Sequence, residues 1–206
     1  MDRLSTPRTS TANASLTPAS RARAIATLTR AFADDLPCRW LWPDDDDYET
    51  HFPDFAAAFG GAAIDVGTAV ATADLSGVAL WMAAGIGPDE DALGVLIERS
   101  VPSGRQVLVL DLFAEMGRVH PREPHWYLPL IGVEPERQGH GIGRKLLELV
   151  LAECDATELP AYLEATSARS IPLYRRHGFQ PVGTIVVGDC PPIVPMVRHP
   201  IGPRRQ

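Results

Sequence analysis

The feature that most constrains this chain is a set of three glycines at alternate positions, Gly139, Gly141 and Gly143, lying between two patterned segments. Before them, His125–Val133 reads as a strand. After them, Ile142, Leu146, Leu149 and Val150 recur at helical spacing, so Gly141–Cys154 reads as a helix. Glycines at such a junction let the backbone approach a ligand without a Cβ in the way. The free N–H groups of the first helical turn, and the helix dipole, favour an anion there. Arg137, Arg144 and Lys145 add positive charge at the same end. The junction reads as a phosphate cradle.

Other nucleotide and catalytic patterns fail. A P-loop needs Ser or Thr after its lysine, and Lys145 is followed by Leu146. A dinucleotide fingerprint needs G-x-G-x-x-G, and the spacing here is G-x-G-x-G. There is no G-x-S-x-G elbow. No His, Cys or Asp spacing forms a metal site, so no metal is expected. The acidic run Asp44–Asp47 suits the positive end of a helix better than a cation.

A chain of 206 residues is one domain's worth. Residues 1–13 are polar and read as a disordered arm, leaving 14–206 as a single domain. The net charge of −7 argues against a nucleic-acid partner. Residues 1–100 carry 15 acids against 7 bases, whereas residues 101–206 carry 11 against 12, so an anion is better tolerated by the second half. Cys38, Cys154 and Cys190 form no disulfide framework, and the first residues have no apolar stretch, which together suggest the cytoplasm. The most apolar run, Phe55–Ile64, is too short to span a bilayer, so no membrane is expected.

Along the chain, Thr17-Pro18 starts a helix that Pro37 stops, and Trp40–Pro43 forms an apolar elbow. Gly67–Ala73 and Gly77–Ala84 read as a strand pair turned at Asp74-Leu75-Ser76. Pro88–Ser100 and Arg105–Gly117 look helical, although Val107–Leu110 would also suit a strand. Ala161–Ala165 is a strand and Arg169–His177 a short helix. Phe179–Val187 and Ile193–Arg198 form a closing strand pair. The alternation after residue 120 indicates an α/β fold. Pro129 cannot donate a ladder hydrogen bond, so it marks either a harmless edge position or a bulge, which would free the backbone of Leu130–Val133.

These segments resemble a known family. Gln138-Gly139-His140-Gly141-Ile142-Gly143 matches the Q/R-x-x-G-x-G/A signature of the GNAT N-acetyltransferase superfamily, after a Val133-Glu134-Pro135 lead-in. Tyr174–Phe179 matches its downstream Y-x-x-x-G-F element. The two motifs cover about residues 125–187. His125–Leu128 and Tyr162–Glu164 are similar to a branch that includes puromycin and antibiotic-type acetyltransferases, and Phe32–Asp35 and Trp40–Asp44 look like that branch's substrate-side helices.

The resemblance implies a GNAT fold: a central mixed, mostly antiparallel twisted sheet with helices on both faces and a splayed central strand pair. It implies acetyl transfer from acetyl-CoA, as cosubstrate, to an amine. Leu130, Ile131, Gly132, Val133, Gln138, Gly139, His140, Gly141, Ile142, Gly143, Arg144, Ser167 and Ser170 would contact the cofactor, with Ser167 standing where many relatives have Asn. Tyr174 matches the general acid. An N–H near Ile131 or Val133 would stabilise the oxyanion. Glu164 or His125 would serve as base, with Asp111 and Glu115 as outside candidates. Trp40, Trp42, Trp126 and Tyr127 would line the acceptor pocket, each with core packing as the alternative. The acceptor would be a small amine. A catalytically silent acyl-CoA sensor is the alternative function, and a homodimer is compatible with the sequence.

Overall fold

The computed structural model describes residues 13–202. The arm expected over residues 1–13 lies outside them except for Asn13, which opens β1. Among the described residues, seven strands form one sheet in the order β1-β2-β3-β4-β5-β7-β6. They are β1 (Asn13–Ser15), β2 (Val70–Thr72), β3 (Gly77–Met82), β4 (Trp126–Val133), β5 (Ala161–Ala165), β6 (Gln180–Pro181) and β7 (Val194–Arg198). Every neighbouring pair is antiparallel except β4 and β5. A parallel pair needs a crossover, and α7 (Ile142–Ala156) supplies it. The mixed sheet with helices on both faces is the architecture the motifs implied.

The two faces are read from alternation along the strands. Val78, Leu80 and Met82 of β3 pack with α1 (Arg21–Ala31) and α3 (Asp45–Gly60). Ala79 and Trp81 pack with Leu146, Leu147 and Val150 of α7. The β4 strand breaks this alternation at the proline. Leu128 faces α7, yet Leu130, two residues on, shares the opposite face with Tyr127. Leu80 pairs with Leu130 and Met82 with Tyr127, so Leu128 and Pro129 together oppose Trp81. Of the two readings of Pro129, the bulge is the one that forms. Beyond it β4 also leaves β5: pairing runs from Trp126–Ala161 to Leu128–Leu163 and stops.

Local chemistry explains most helix boundaries. Asp44 caps α3 by accepting from the Asp46 and Asp47 amides at 2.9 and 3.3 Å, so the acidic run is a helix start. Pro37 does not end a helix. The α1 helix closes at Ala31, and Pro37 lies in the first turn of α2 (Leu36–Leu41), where its missing N–H is not needed. Trp40 and Leu41 are therefore helical. The Thr17-Pro18 start is a 3-10 turn (Pro18–Ser20) leading into α1. The α4 (Ala62–Asp65), α5 (Glu90–Ser100) and α6 (Ser103–Val119) segments are helices, which removes the strand option at Val107–Leu110. The closing pair is shorter than expected, because β6 covers only Gln180–Pro181 and a single bridge joins Ile185 to Ile193.

Asp74 organises the β2–β3 turn. Its Oδ1 accepts from Thr72 Oγ1 at 2.7 Å, Ser76 Oγ at 2.7 Å and the Ser76 amide at 3.1 Å. These hydrogen bonds hold its pKa down to about 2. A depressed carboxyl stabilises the fold above the unfolded value and loses that contribution as pH falls through the folded one. Asp74→Ala is expected to lower unfolding stability by about 1–2 kcal/mol at pH 7 in urea denaturation, and the gap from wild type should narrow as the pH approaches 2.

Candidate active site

The glycine junction forms as expected. Gly139 and Gly141 have φ of 78° and 77°, a left-handed conformation that costs other residues about 1–2 kcal/mol. Gly141 is the N-cap of α7, and the space beside both glycines is open. A cleft of about 630 Å³ begins here. Ile131, Gly132, Val133, Gln138, Gly139, Ile142, Gly143 and Arg144 contribute one wall, and Ser167, Ser170 and Tyr174 the other. Gln138 spans it: Nε2 donates to the Val133 carbonyl at 3.2 Å, and Oε1 accepts from Arg169 at 3.1 Å. Arg137, Arg144, Arg169 and Arg176 line the same cleft. Amides of a helix start, four guanidinium groups and a strand released from its neighbour fit an extended, anionic cosubstrate such as acetyl-CoA. His140 is exposed, with Nδ1 2.9 Å from the Gln138 carbonyl, and does not line the cleft.

Tyr174 is held from below. The helix α8 (Ile171–Arg176) ends in a Schellman motif. The Phe179 amide donates to the Tyr174 carbonyl at 3.2 Å and the Gly178 amide to Arg175 at 3.0 Å. Gly178 takes φ 88°, and the Tyr174 and Phe179 rings meet edge to face at 6.0 Å. The Y-x-x-x-G-F element is thus a helix stop that fixes the tyrosine. Only 7% of Tyr174 is exposed. Burial pushes its phenol up to about 12, against the opposing effect of hydrogen bonding with Ser170, so it keeps its proton at neutral pH.

A smaller cavity of about 80 Å³ lies where β4 and β5 part. Tyr174, Leu130, Ile131, Thr166 and Glu164 all line it. The Glu164 side chain is 5% exposed, and its Oε1 accepts no hydrogen bond. Glu164 also lines a third cavity, of about 490 Å³, with Phe59, Phe113, Met116, His120 and Tyr127. His125 lines neither. Its Nδ1 lies 2.7 Å from the Glu123 carbonyl and its Nε2 2.9 Å from His120 Nε2, and burial lowers its pKa. Asp111 is exposed, and Glu115 pairs with Arg118 at 2.8 Å.

The aromatic residues divide. Tyr127 borders the third cavity. Trp40 is buried with its indole donating to Asp189 at 2.8 Å, and Trp42 is buried with its indole donating to Ser100 at 3.1 Å. Trp126 packs on the α7 face. None of these three tryptophans lines the cleft or the two cavities. No group of His, Cys, Asp or Glu among the described residues has metal-binding geometry, and no helix there is long and apolar enough to cross a membrane.

A family model for the acetyltransferase (GNAT) domain matches residues 103–181. An uncharacterized N-acetyltransferase of Schizosaccharomyces pombe is 30% identical over 173 residues, spanning 76% of this chain and 69% of that protein. The chain belongs to the GNAT acetyltransferase family. A solved structure from Corynebacterium glutamicum, described as histone acetyltransferase HPA2 and related acetyltransferase, is 25% identical, covers 94% of this chain and 98% of its own, and superposes with a TM-score of 0.68. Arylalkylamine N-acetyltransferase 2 of Aedes aegypti shares the fold at 16% identity, with coverage of 91% and 98% and a TM-score of 0.62. Membership makes this chain an acyltransferase, and GNAT enzymes use acetyl-CoA as cosubstrate.

Three residues of this candidate site, Thr166, Arg169 and His120, escaped the sequence, and Asp35 was marked only within the segment Phe32–Asp35. Thr166 donates to Asp35, tying the end of β5 to the start of α2 across the cleft mouth. Asp35 also accepts from the Cys38 amide at 3.2 Å, and burial raises its pKa. Arg169 and Thr166 flank Ser167, so their place just after a strand end was the available signal. His120 gave none. Gly141→Glu is expected to abolish the rise in Tm that coenzyme A gives the wild type, read by differential scanning fluorimetry. Gly141→Ala should lower stability by about 1–2 kcal/mol while keeping a coenzyme A-dependent shift. An unchanged shift in Gly141→Glu would put the ligand elsewhere.

Proposed function

We propose that this protein transfers the acetyl group of acetyl-CoA to the primary amine of a small, largely apolar molecule by direct attack on the thioester. The observation that carries this is the shared lining of the 80 Å³ cavity: Glu164 and Tyr174 border it together, between the arginine-rich cleft and the 490 Å³ cavity. Its size is about that of three water molecules in the liquid, suited to a two-carbon acyl group and an attacking nitrogen.

In this mechanism acetyl-CoA lies in the cleft, its diphosphate on the amides of Gly141–Arg144 and its pantetheine arm along Leu130–Val133. The amine enters from the side of Phe59, Phe113, Met116 and Tyr127. Glu164 takes a proton from the ammonium group, favoured by its buried, unpaired oxygen. Asp35 suits this task less, since both its oxygens are engaged, by Cys38 and Thr166. The neutral amine attacks the carbonyl carbon, and a β4 amide near Ile131 or Val133 bears the oxyanion. Tyr174, neutral through burial, protonates the departing thiolate, and the second proton of the amine nitrogen, released as the tetrahedral intermediate collapses, restores the Tyr174 hydroxyl.

Thiol release from acetyl-CoA with a panel of amines, including 2-phenylethylamine and agmatine, tests this. Tyr174→Phe and Glu164→Gln are each expected to lower kcat about 10²–10³-fold while acetyl-CoA still raises Tm. Binding of acetyl-CoA with no turnover on any amine would instead favour the silent sensor. A Glu164→Gln enzyme at wild-type rate would remove the carboxylate from the base role.

A further inference from the structure

Acetylation at neutral pH releases a proton. The acceptor arrives as an ammonium group with three N–H bonds. The amide product keeps one proton, the thiol takes one, and one must reach solvent in each turnover. On the proposed function, Glu164 receives a proton in a cavity where 5% of its side chain meets water. It must be emptied before the next amine can react.

The surroundings of Glu164 hold a route. His120 Nδ1 lies 3.8 Å from Glu164 Oε1, and His120 Nε2 lies 2.9 Å from His125 Nε2. Two facing imidazole nitrogens can share only one proton in a hydrogen bond, so one donates and the other accepts. The Glu123 carbonyl, 2.7 Å from His125 Nδ1, settles which. A carbonyl only accepts, so neutral His125 carries its proton on Nδ1 and presents a bare Nε2. Neutral His120 must then carry its proton on Nε2. Its bare nitrogen is Nδ1, the one that faces Glu164. The tautomer is imposed from the surface inward by one backbone oxygen.

The His120 ring is also fixed. It meets the rings of Tyr127 and Tyr162 edge to face, each at 4.7 Å. It borders the 490 Å³ cavity on one side and a surface depression with Arg122, Glu123 and His125 on the other. Its side chain is 31% exposed. His120 thus spans the wall between a buried carboxylate and bulk water.

We propose that His120 is the proton exit for Glu164, and that His125 is the positioning residue that keeps His120 Nδ1 unprotonated and ready. After the amine gives a proton to Glu164, the carboxyl group turns to bring its O–H from 3.8 Å to hydrogen-bond distance of His120 Nδ1, the O–H bond breaks and an N–H bond forms there. The carboxylate is restored beside an imidazolium. The imidazolium then loses a proton to water from the ring edge open to the surface depression, and solvent exchange restores the Nε2–H tautomer of His120, so both residues return to their starting states. The titratable and charged groups facing the pair are Glu90 at the start of α5, Tyr127 on β4, Tyr162 on β5, and His125, Arg122 and Glu123 on the loop before β4.

Two measurements test this. In long-range 15N–1H NMR of the protein without ligand at neutral pH, His120 is expected as the Nε2–H tautomer and His125 as Nδ1–H, with His120 changing tautomer in His125→Phe. An Nδ1–H tautomer for His120 in the wild type would overturn the proposal whatever the acceptor. In steady-state assays with acetyl-CoA and the fastest amine of the panel, His120→Gln is expected to lower kcat about 10–100-fold with little change in the KM for acetyl-CoA. It should also recover at least several-fold in added imidazole. A His120→Gln enzyme with wild-type kcat, while Glu164→Gln is inactive, would discard the exit and keep the base. An active Glu164→Gln would discard the base itself. Equal coenzyme A-induced Tm shifts in all variants separate these results from misfolding.

Discussion

One missing N–H group shapes this molecule. Pro129 sits in the middle of a central strand, where each residue is normally bonded on both sides, and it cannot donate. The chain accommodates it by placing Leu128 and Pro129 opposite the single residue Trp81. The extra residue reverses the inward and outward alternation, so Leu130 joins the face of Tyr127 rather than that of Leu128. It also ends the pairing of β4 with β5 after Leu128–Leu163. A cavity opens where two adjacent strands stop sharing hydrogen bonds, and it is bordered by backbone that has lost its partner.

The remaining elements act on that opening. The crossover through α7 is required because β4 and β5 are parallel, and it brings a helix N-terminus to the end of β4. The left-handed glycines before α7 keep the approach clear. On the far wall, Gly178 and Phe179 stop α8 and lock Tyr174 in place. The Thr166–Asp35 hydrogen bond joins the end of β5 to α2, so the splayed strands are tied to a helix across the cleft mouth. Each device is local, but all of them converge on the gap left by the bulge.

How much of this was legible in the sequence follows from the range of the interactions. The cradle and the tyrosine stop depend on φ angles and hydrogen bonds within six residues, and glycine marks them directly. The bulge was legible for the same reason, since proline removes a donor wherever it stands. The faces of β5 followed from alternation, with Tyr162 and Glu164 together and Leu163 opposed. Pro37 misled because a proline suits the first turn of a new helix as well as the end of an old one. The tryptophans misled because ring size says nothing about which side of a sheet a residue meets. Trp126 and Tyr127 are neighbours in sequence and lie on opposite faces. His120 was illegible: it caps the end of α6, outside any periodic pattern, and its partners come from β4, β5 and the loop at His125.

A buried carboxylate oxygen that accepts no hydrogen bond from the protein is costly, by about 1–3 kcal/mol or more for a charged group. Glu164 tolerates it in a particular setting. Two tyrosines stand near it, and burial, its charge and side-chain hydrogen bonding with the carboxylate raise the pKa of both Tyr127 and Tyr162, so their hydroxyls remain protonated. The nearest ring nitrogen, His120 Nδ1, stays at 3.8 Å, outside hydrogen-bond range. A closer cation would satisfy the carboxylate and weaken it as a proton acceptor. Its Oε1 is thus short of one hydrogen bond and lies beside the small cavity that Tyr174 also lines. On the proposed function, an incoming ammonium group would supply the missing donor, so the energy left unsatisfied in the folded chain would become binding and orienting energy for the acceptor nitrogen.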